Sequence, residues 1–184
     1  MKFEEKIKNK YLYKKGYNFF KLFYFLYQYL KSKKILKKKV FYSNWGIDMM
    51  ADEFFKKKIK GFYIDVGCHQ PILNNNTYRL YRRGWTGINI DLDFNTIDMF
   101  DFFRKKDLNI QAGVSSTEEE KNLYFFHNRS AINTLSEETG IKAKEIRKIH
   151  TTTLNKIIEN SRFKNLEIDY ITIDVEGHEL SVLE

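Results

Sequence analysis

The stretch FYIDVGCHQP, residues 62–71, reads as an apolar strand that runs straight into a glycine turn. A short continuous apolar run bounded by glycine suits a strand buried on both faces. Yet it ends in an acid, a lone glycine, a cysteine and a histidine. An acid and an imidazole are costly to bury without a reason. They fit a strand end that meets a ligand, because ligands of parallel α/β sheets bind beyond the carboxyl ends of the strands.

Outward from this stretch, strands and helices alternate. Residues 86–93, TGINIDLD, form a second strand; residues 108–116, LNIQAGVSS, a third; residues 168–175, IDYITIDV, a fourth. Between them, residues 76–83 read as a short helix with Asn76 or Thr77 at its start and Gly84 past its end. Residues 94–105 have helical spacing and a basic last turn, and residues 153–161 form a helix capped by Thr153. NLYFFHN, residues 122–128, reads as an added strand or hairpin arm, and EGHELSVLE opens a last helix. Such alternation predicts an α/β fold with a mostly parallel sheet covered on both faces. Three strand ends then bring acids to one crevice: Asp65, Asp91 with Asp93, and Asp174.

Each candidate has a plainer reading beside it. Gly67 permits a sharp turn and a close ligand, but the three-glycine fingerprint for a pyrophosphate is missing. That argues against a dinucleotide, not against a nucleoside without phosphates. Asp91 lies where an acid accepts both ribose hydroxyls, or it is a solvated loop acid beside Asp93. Asp174, Glu176, His178 and Glu179 form the densest polar group. Asp174 is placed to take a proton from an attacking hydroxyl. The group also has the oxygen and nitrogen donors a divalent metal would want, although no metal site is assigned. Glu179 fits a helix cap. His69 and His178 are candidate site residues or packing residues in equal measure. Cys68 reads as a small filler, with no neighbouring base to activate a thiol.

At 184 residues, 42% hydrophobic and 16% aromatic, the chain can bury one proper core. A single cysteine excludes an internal disulfide framework and fits a reducing, cytoplasmic setting. No secretory signal is visible, so Asn128-Arg129-Ser130 is an acceptor site in form only. The net charge of +8 is concentrated at one end: residues 1–40 hold 13 Lys and 2 Glu around the aromatic run YNFFKLFYFLYQYL. That run is too short to span a bilayer. It suits a helix that packs on the following domain, or one that lies on an anionic membrane surface at the inner face. Basic residues that are all Lys, with no Arg for bidentate base contacts, argue against nucleic acid.

In this order and spacing, GFYIDVGCHQP (61–71), NNNTYRLYRRGWTGINID (74–91) and IDYITIDVEGHELSVLE (168–184) resemble the FkbM family of S-adenosylmethionine-dependent methyltransferases. FYSNWGIDMMADEFF (41–55) resembles the approach segment of one branch of that family. The resemblance implies a Rossmann-like methyltransferase fold over residues 41–184, preceded by a basic helical extension over residues 1–40. It implies S-adenosylmethionine as cofactor and transfer to a hydroxyl of a glycan or similar natural product. Carried over, Asp65, Gly67 and the backbone of Cys68 match the turn that holds the methionine part. Asn76, Thr77 and Leu92 fall in the cofactor-binding set, and Asp91 matches the ribose-binding acid. Asp174 matches the residue beside the transferred methyl, with His69 and His178 as further catalytic candidates. The chain stops at Glu184, in the helix after the fourth strand, so three further strands of the full fold are expected to be absent. A non-catalytic, truncated module that binds a nucleoside or docks to a membrane is the alternative.

Overall fold

The computed structural model describes residues 17–36, 41–127 and 130–184. Much of the basic extension (residues 1–16 and 37–40) and two residues of the acceptor triplet, Asn128 and Arg129, lie outside the described residues.

Strand β1 (Phe62–Val66) is buried along its whole length. It sits inside a four-stranded sheet ordered β3-β2-β1-β7, where β2 is Thr86–Asp91, β3 is Leu108–Gln111 and β7 is Tyr170–Ile173. All three pairings are parallel. Asp65 stands opposite Asn89 on one side and Thr172 on the other.

Because side chains alternate along a strand, β1 feeds two cores. Phe62, Ile64 and Val66 pack with Ile88 and Ile90 of β2, Ile157 of helix α6 (Leu154–Glu159) and Val182 of helix α7 (Glu179–Leu183). On the other face Tyr63 packs with Ala51 of α2 (Ile47–Phe54), Leu80 of α3 (Tyr78–Arg82) and Trp85. Full burial of each of these large side chains contributes about 1.5–3 kcal/mol, so the layers on both faces of β1 hold the site end in place.

Three local outcomes differ from the expected elements. The third strand is two strands: β3 ends at Gln111, and Gly113–Val114 (β4) joins a separate sheet ordered β4-β6-β5. There β5 (Glu120–Phe125) runs antiparallel to β6 (Glu145–Thr152), with the one-turn helix α5 (Glu137–Gly140) between them in the chain. Strand β6 was not expected, because EIRKIHTT is mostly exposed and lacks the apolar alternation that marks a half-buried strand. Helix α4 (Phe94–Phe103) starts at Asp93, whose carboxylate accepts from Asn95 N at 2.8 Å. It stops at Phe103 rather than Lys105, since Arg104 leaves helical geometry and turns inward to full burial.

Helix α1 (Tyr17–Leu36) packs Tyr24 and Phe25 against Met99 and Phe103 of α4. Lys21 pairs with Asp98 beside this contact. Among the described residues, no helix is long and apolar enough to cross a membrane.

Candidate active site

At the end of β1 the chain turns at Gly67, with φ +79°. The turn is pinned by Gly67 N donating to Ile90 O at 2.9 Å and by Asp174 N donating to Val66 O at 2.9 Å. A Cβ on Gly67 would lie 2.0 Å from the Asp174 carbonyl oxygen. Only glycine therefore lets β1 and the segment after β7 approach so closely while keeping a left-handed backbone. The next residues carry the turn past β2. His69, also left-handed at φ 48°, donates its backbone N–H to Asp91 Oδ2 at 3.0 Å.

The cleft beyond these strand ends is about 550 Å³, open to solvent, and includes Gly67, His69, Asp91, Leu92, Asp174 and His178 in its wall. Its apolar side comes from Val66, Ile90, Ala112 and Val114. A second, more polar recess of about 580 Å³ shares Gly67, His69 and Asp174 and adds Asp65, Cys68 and Asn76. Thr77 lines neither space. It is fully buried and donates from Oγ1 to Asp65 Oδ2 at 2.9 Å. Asn76 reaches across to β7, donating to Thr172 Oγ1 at 3.0 Å. Cys68 packs inward on Ile97 and Phe100 of α4, and burial pushes its thiol well above the usual range, so it is an inert filler.

The three acids sit in different electrostatic settings. Asp65 is buried, and desolvation raises its pKa to about 6 although Thr77, Arg104 and Asn75 oppose the shift. Asn75 Nδ2 donates to the same Oδ2 as Thr77, at 3.1 Å. Asp91 is also raised to about 6, chiefly by desolvation, while the backbone N–H groups of Asp93 and His69 hold its carboxylate. Asp174 is open to solvent by area, yet the surrounding protein desolvates it and the Glu179 charge adds to the effect, so its pKa is raised. Among the described residues its carboxylate takes no hydrogen bond or ion pair, unlike Asp65 and Asp91. Glu179 is engaged elsewhere: its carboxylate accepts from Val175 N and Gly177 N at the start of α7. His178 meets Ser115 Oγ through Nε2 at 3.0 Å, and desolvation followed by the Lys121 charge lowers its pKa. Among the described residues, no three His, Cys, Asp or Glu side chains converge as a metal site.

Several residues that shape the site carry no signal in the sequence. Arg104 lies fully buried behind the acidic floor, donating to Thr77 Oγ1 (2.9 Å), Asn75 Oδ1 (3.3 Å) and Pro71 O (3.0 Å), and pairing with Asp107 (3.0 Å). It thus fixes both side chains that hold Asp65. Over the cleft, a segment after β5 brings Ser130, Ala131, Asn133 and Leu135 into the wall. Thr134 Oγ1 ties that segment to Glu176 O at 2.8 Å.

A parallel β3-β2-β1-β7 sheet with an acidic cleft at its carboxyl edge, built on one glycine turn, defines a Rossmann-like methyltransferase fold. Residues 65–184 match the Methyltransferase FkbM domain. The chain belongs to the FkbM methyltransferase family and is a methyltransferase. No match was found among curated proteins or among solved structures.

Proposed function

We propose that this enzyme uses S-adenosylmethionine to methylate a hydroxyl oxygen of a glycan or similar polyhydroxylated product. The observation that carries this reading is the donor set. Three carboxylates, Asp65, Asp91 and Asp174, surround a turn with a single glycine, and the multiple glycines of a phosphate cradle are missing from it. Such a set suits a ligand with an ammonium, a sulfonium and ribose hydroxyls, and repels one with phosphates. The raised pKa values of Asp65 and Asp91 add to the fit, since a cationic or hydroxyl-rich ligand relieves desolvated carboxylates.

In this reading Asp91 accepts the ribose hydroxyls from the end of β2. Val66, Ile90, Leu92, Ala112 and Val114 give the base an apolar wall. Gly67, the Cys68 backbone and Asp65 form the floor for the methionine part, and Asn76 and Thr77 brace that floor. When bound, S-adenosylmethionine supplies a methyl group already activated on its sulfonium. The chain supplies orientation, which can contribute on the order of 7–11 kcal/mol, and a proton acceptor. Asp174 is that acceptor: it lines both spaces, its carboxylate takes no hydrogen bond or ion pair among the described residues, and its raised pKa makes it a better base than an ordinary carboxylate. His178 holds its Nε2 on Ser115, so it positions the wall rather than competing for the proton. His69 contributes its backbone to Asp91 and its side chain to the rim.

Calorimetry with S-adenosylmethionine, followed by methyl transfer from labelled cofactor to a panel of glycans and polyols, tests the reading. Binding with turnover on a hydroxyl acceptor is the expected result. Binding without turnover on any of them points to a nucleoside-binding module, and no binding at all refutes the cofactor assignment.

A further inference from the structure

Among the described residues, helix α1 has one apolar side buried on the fold and a leucine side exposed. Tyr24 and Phe25 are buried against α4, with Lys21 paired to Asp98 at the same seam. At about 3.6 residues per turn, Leu22, Leu26 and Leu30 fall on one stripe away from that seam. They are 59%, 52% and 56% exposed, and Phe23 flanks them at 54%. Scattered exposed leucines need no explanation, but three leucines exposed along one helix stripe form a patch.

The charge around this stripe says what covers it. Lys33 and Lys34 follow the stripe on the exposed surface of the last turns. Residues 1–40 carry 13 Lys against 2 Glu, while residues 61–184 hold 15 Lys or Arg against 19 acids. Beside the end of α1 lies a recess of about 710 Å³ lined by Tyr29, Ser32, Lys33, Tyr42, Tyr78 and Arg82. Arg82 Nη1 donates to Tyr42 OH at 2.6 Å, and Lys33 Nζ lies 4.7 Å from the Tyr29 ring centre. Cations and tyrosines at one end of an exposed leucine stripe match the layering of a lipid interface. Leucines enter the acyl boundary, while lysines and aromatic hydroxyls meet the headgroups.

We propose that the exposed face of α1 is a docking surface for an anionic lipid bilayer. The helix lies in the interface plane, with Leu22, Leu26 and Leu30 inserted and the Lys33–Arg82 recess at the level of the lipid phosphates. Seated this way, the enzyme works against acceptors presented at a membrane, and the buried side of α1 carries the catalytic fold through α4. Neither apolar insertion nor charge alone gives firm attachment; the two together do.

The test is co-sedimentation of the full chain with phosphatidylcholine vesicles, with and without phosphatidylserine, over a salt series. Binding is expected only with phosphatidylserine and should weaken as salt rises. Replacing Leu22, Leu26 and Leu30 together by Ser should lower partitioning by about tenfold or more, and K33Q with K34Q should do so by a similar factor. All five positions are exposed, and circular dichroism with thermal melting confirms that the variants stay folded. Wild-type chain that ignores phosphatidylserine vesicles overturns the proposal, as does a triple Leu→Ser variant that binds like wild type. Self-association in sedimentation velocity, abolished by the same triple variant without any vesicle binding, would instead assign the stripe to a second copy.

Discussion

Gly67→Ala is the sharpest perturbation the geometry offers. Two separate costs follow from one methyl group. The backbone stays at φ +79°, a conformation that costs an L residue about 1–2 kcal/mol. The new Cβ would also sit 2.0 Å from the Asp174 carbonyl oxygen, a backbone atom anchored by Asp174 N donating to Val66 O. Relieving that overlap must move β1 away from β7, an overpacking cost of about 1–3 kcal/mol. The sum, about 2–5 kcal/mol, corresponds to a fall in melting temperature of roughly 5–15 °C for a chain of this size. Gly84 supplies the control. It has φ +97° with nothing within 4 Å of its Cβ position, so Gly84→Ala carries the backbone cost alone. Thermal and urea unfolding of both variants, with calorimetry against S-adenosylmethionine, separate the two terms. Gly67→Ala should be the less stable by about 1–3 kcal/mol and should lose cofactor binding, while Gly84→Ala should bind normally. Equal stabilities, or a Gly67→Ala protein that binds the cofactor like wild type, would refute the close approach of β1 and β7 as the basis of the site.

Three further outcomes are expected. Asp174→Asn keeps the side-chain size but cannot take a proton at neutral pH, so turnover should fall by about 10²–10⁴-fold while S-adenosylmethionine still binds; wild-type turnover would move the base to His69 or His178. Asp91→Asn should weaken S-adenosylmethionine by about 1–3 kcal/mol in calorimetry, with unchanged affinity refuting the ribose role; Asp91→Ala should lose more, because both His69 N and Asp93 N lose their acceptor, whereas the single amide oxygen of Asn can keep one of them. Arg104→Met should destabilise the fold by about 3–5 kcal/mol in urea unfolding, since Asp107 is left buried without its cation; a loss under about 1 kcal/mol would show that the ion pair is dispensable.

The strand ends were legible because a parallel sheet leaves strong marks: apolar runs closed by Asp65-Val66-Gly67 and by Asp174-Val175-Glu176-Gly177. The pairing of β1 between β2 and β7 follows from the fold that these motifs resemble. What stayed hidden has local causes. Arg104 sits before Lys105 and Lys106, so it reads as part of a solvated basic turn, whereas it is buried against five acceptors, Tyr63 OH among them. Asn75 lies in an Asn-Asn-Asn run in an Asn-rich chain, where no single amide stands out, yet it is the one that holds Asp65. The segment with Ser130, Asn133 and Thr134 has neither helical nor strand periodicity; the bridge of Thr134 to Tyr124 and its ties to Val175 O and Glu176 O place it at the cleft. Helix α1 is aromatic nearly all round, so its sequence announced a helix without saying which side would be buried.

Asp65 links stability and binding in opposite directions with pH. Its folded pKa of about 6 lies above the unfolded value of about 3.9. A carboxyl raised in this way favours folding fully below the unfolded pKa, and that contribution is lost as pH rises through about 6. For so buried a group the difference is worth up to about 3 kcal/mol. The unliganded protein should therefore be more stable near pH 5 than near pH 8; Asp65→Asn should shrink that difference by the share of Asp65, because Asn can still accept from Thr77 and Asn75, while Asp91, also raised to about 6, keeps its own share. A cationic cofactor prefers the ionised carboxylate, so the rise in melting temperature it produces should grow from pH 5 to pH 8. The asparagine variant should melt higher than wild type at pH 8 without cofactor and gain less from it. Melting curves at the two pH values, for both proteins and with and without S-adenosylmethionine, give all four comparisons. If the cofactor shift is the same at both pH values and in both proteins, Asp65 is only a structural acid, and the floor of the site owes nothing to its charge.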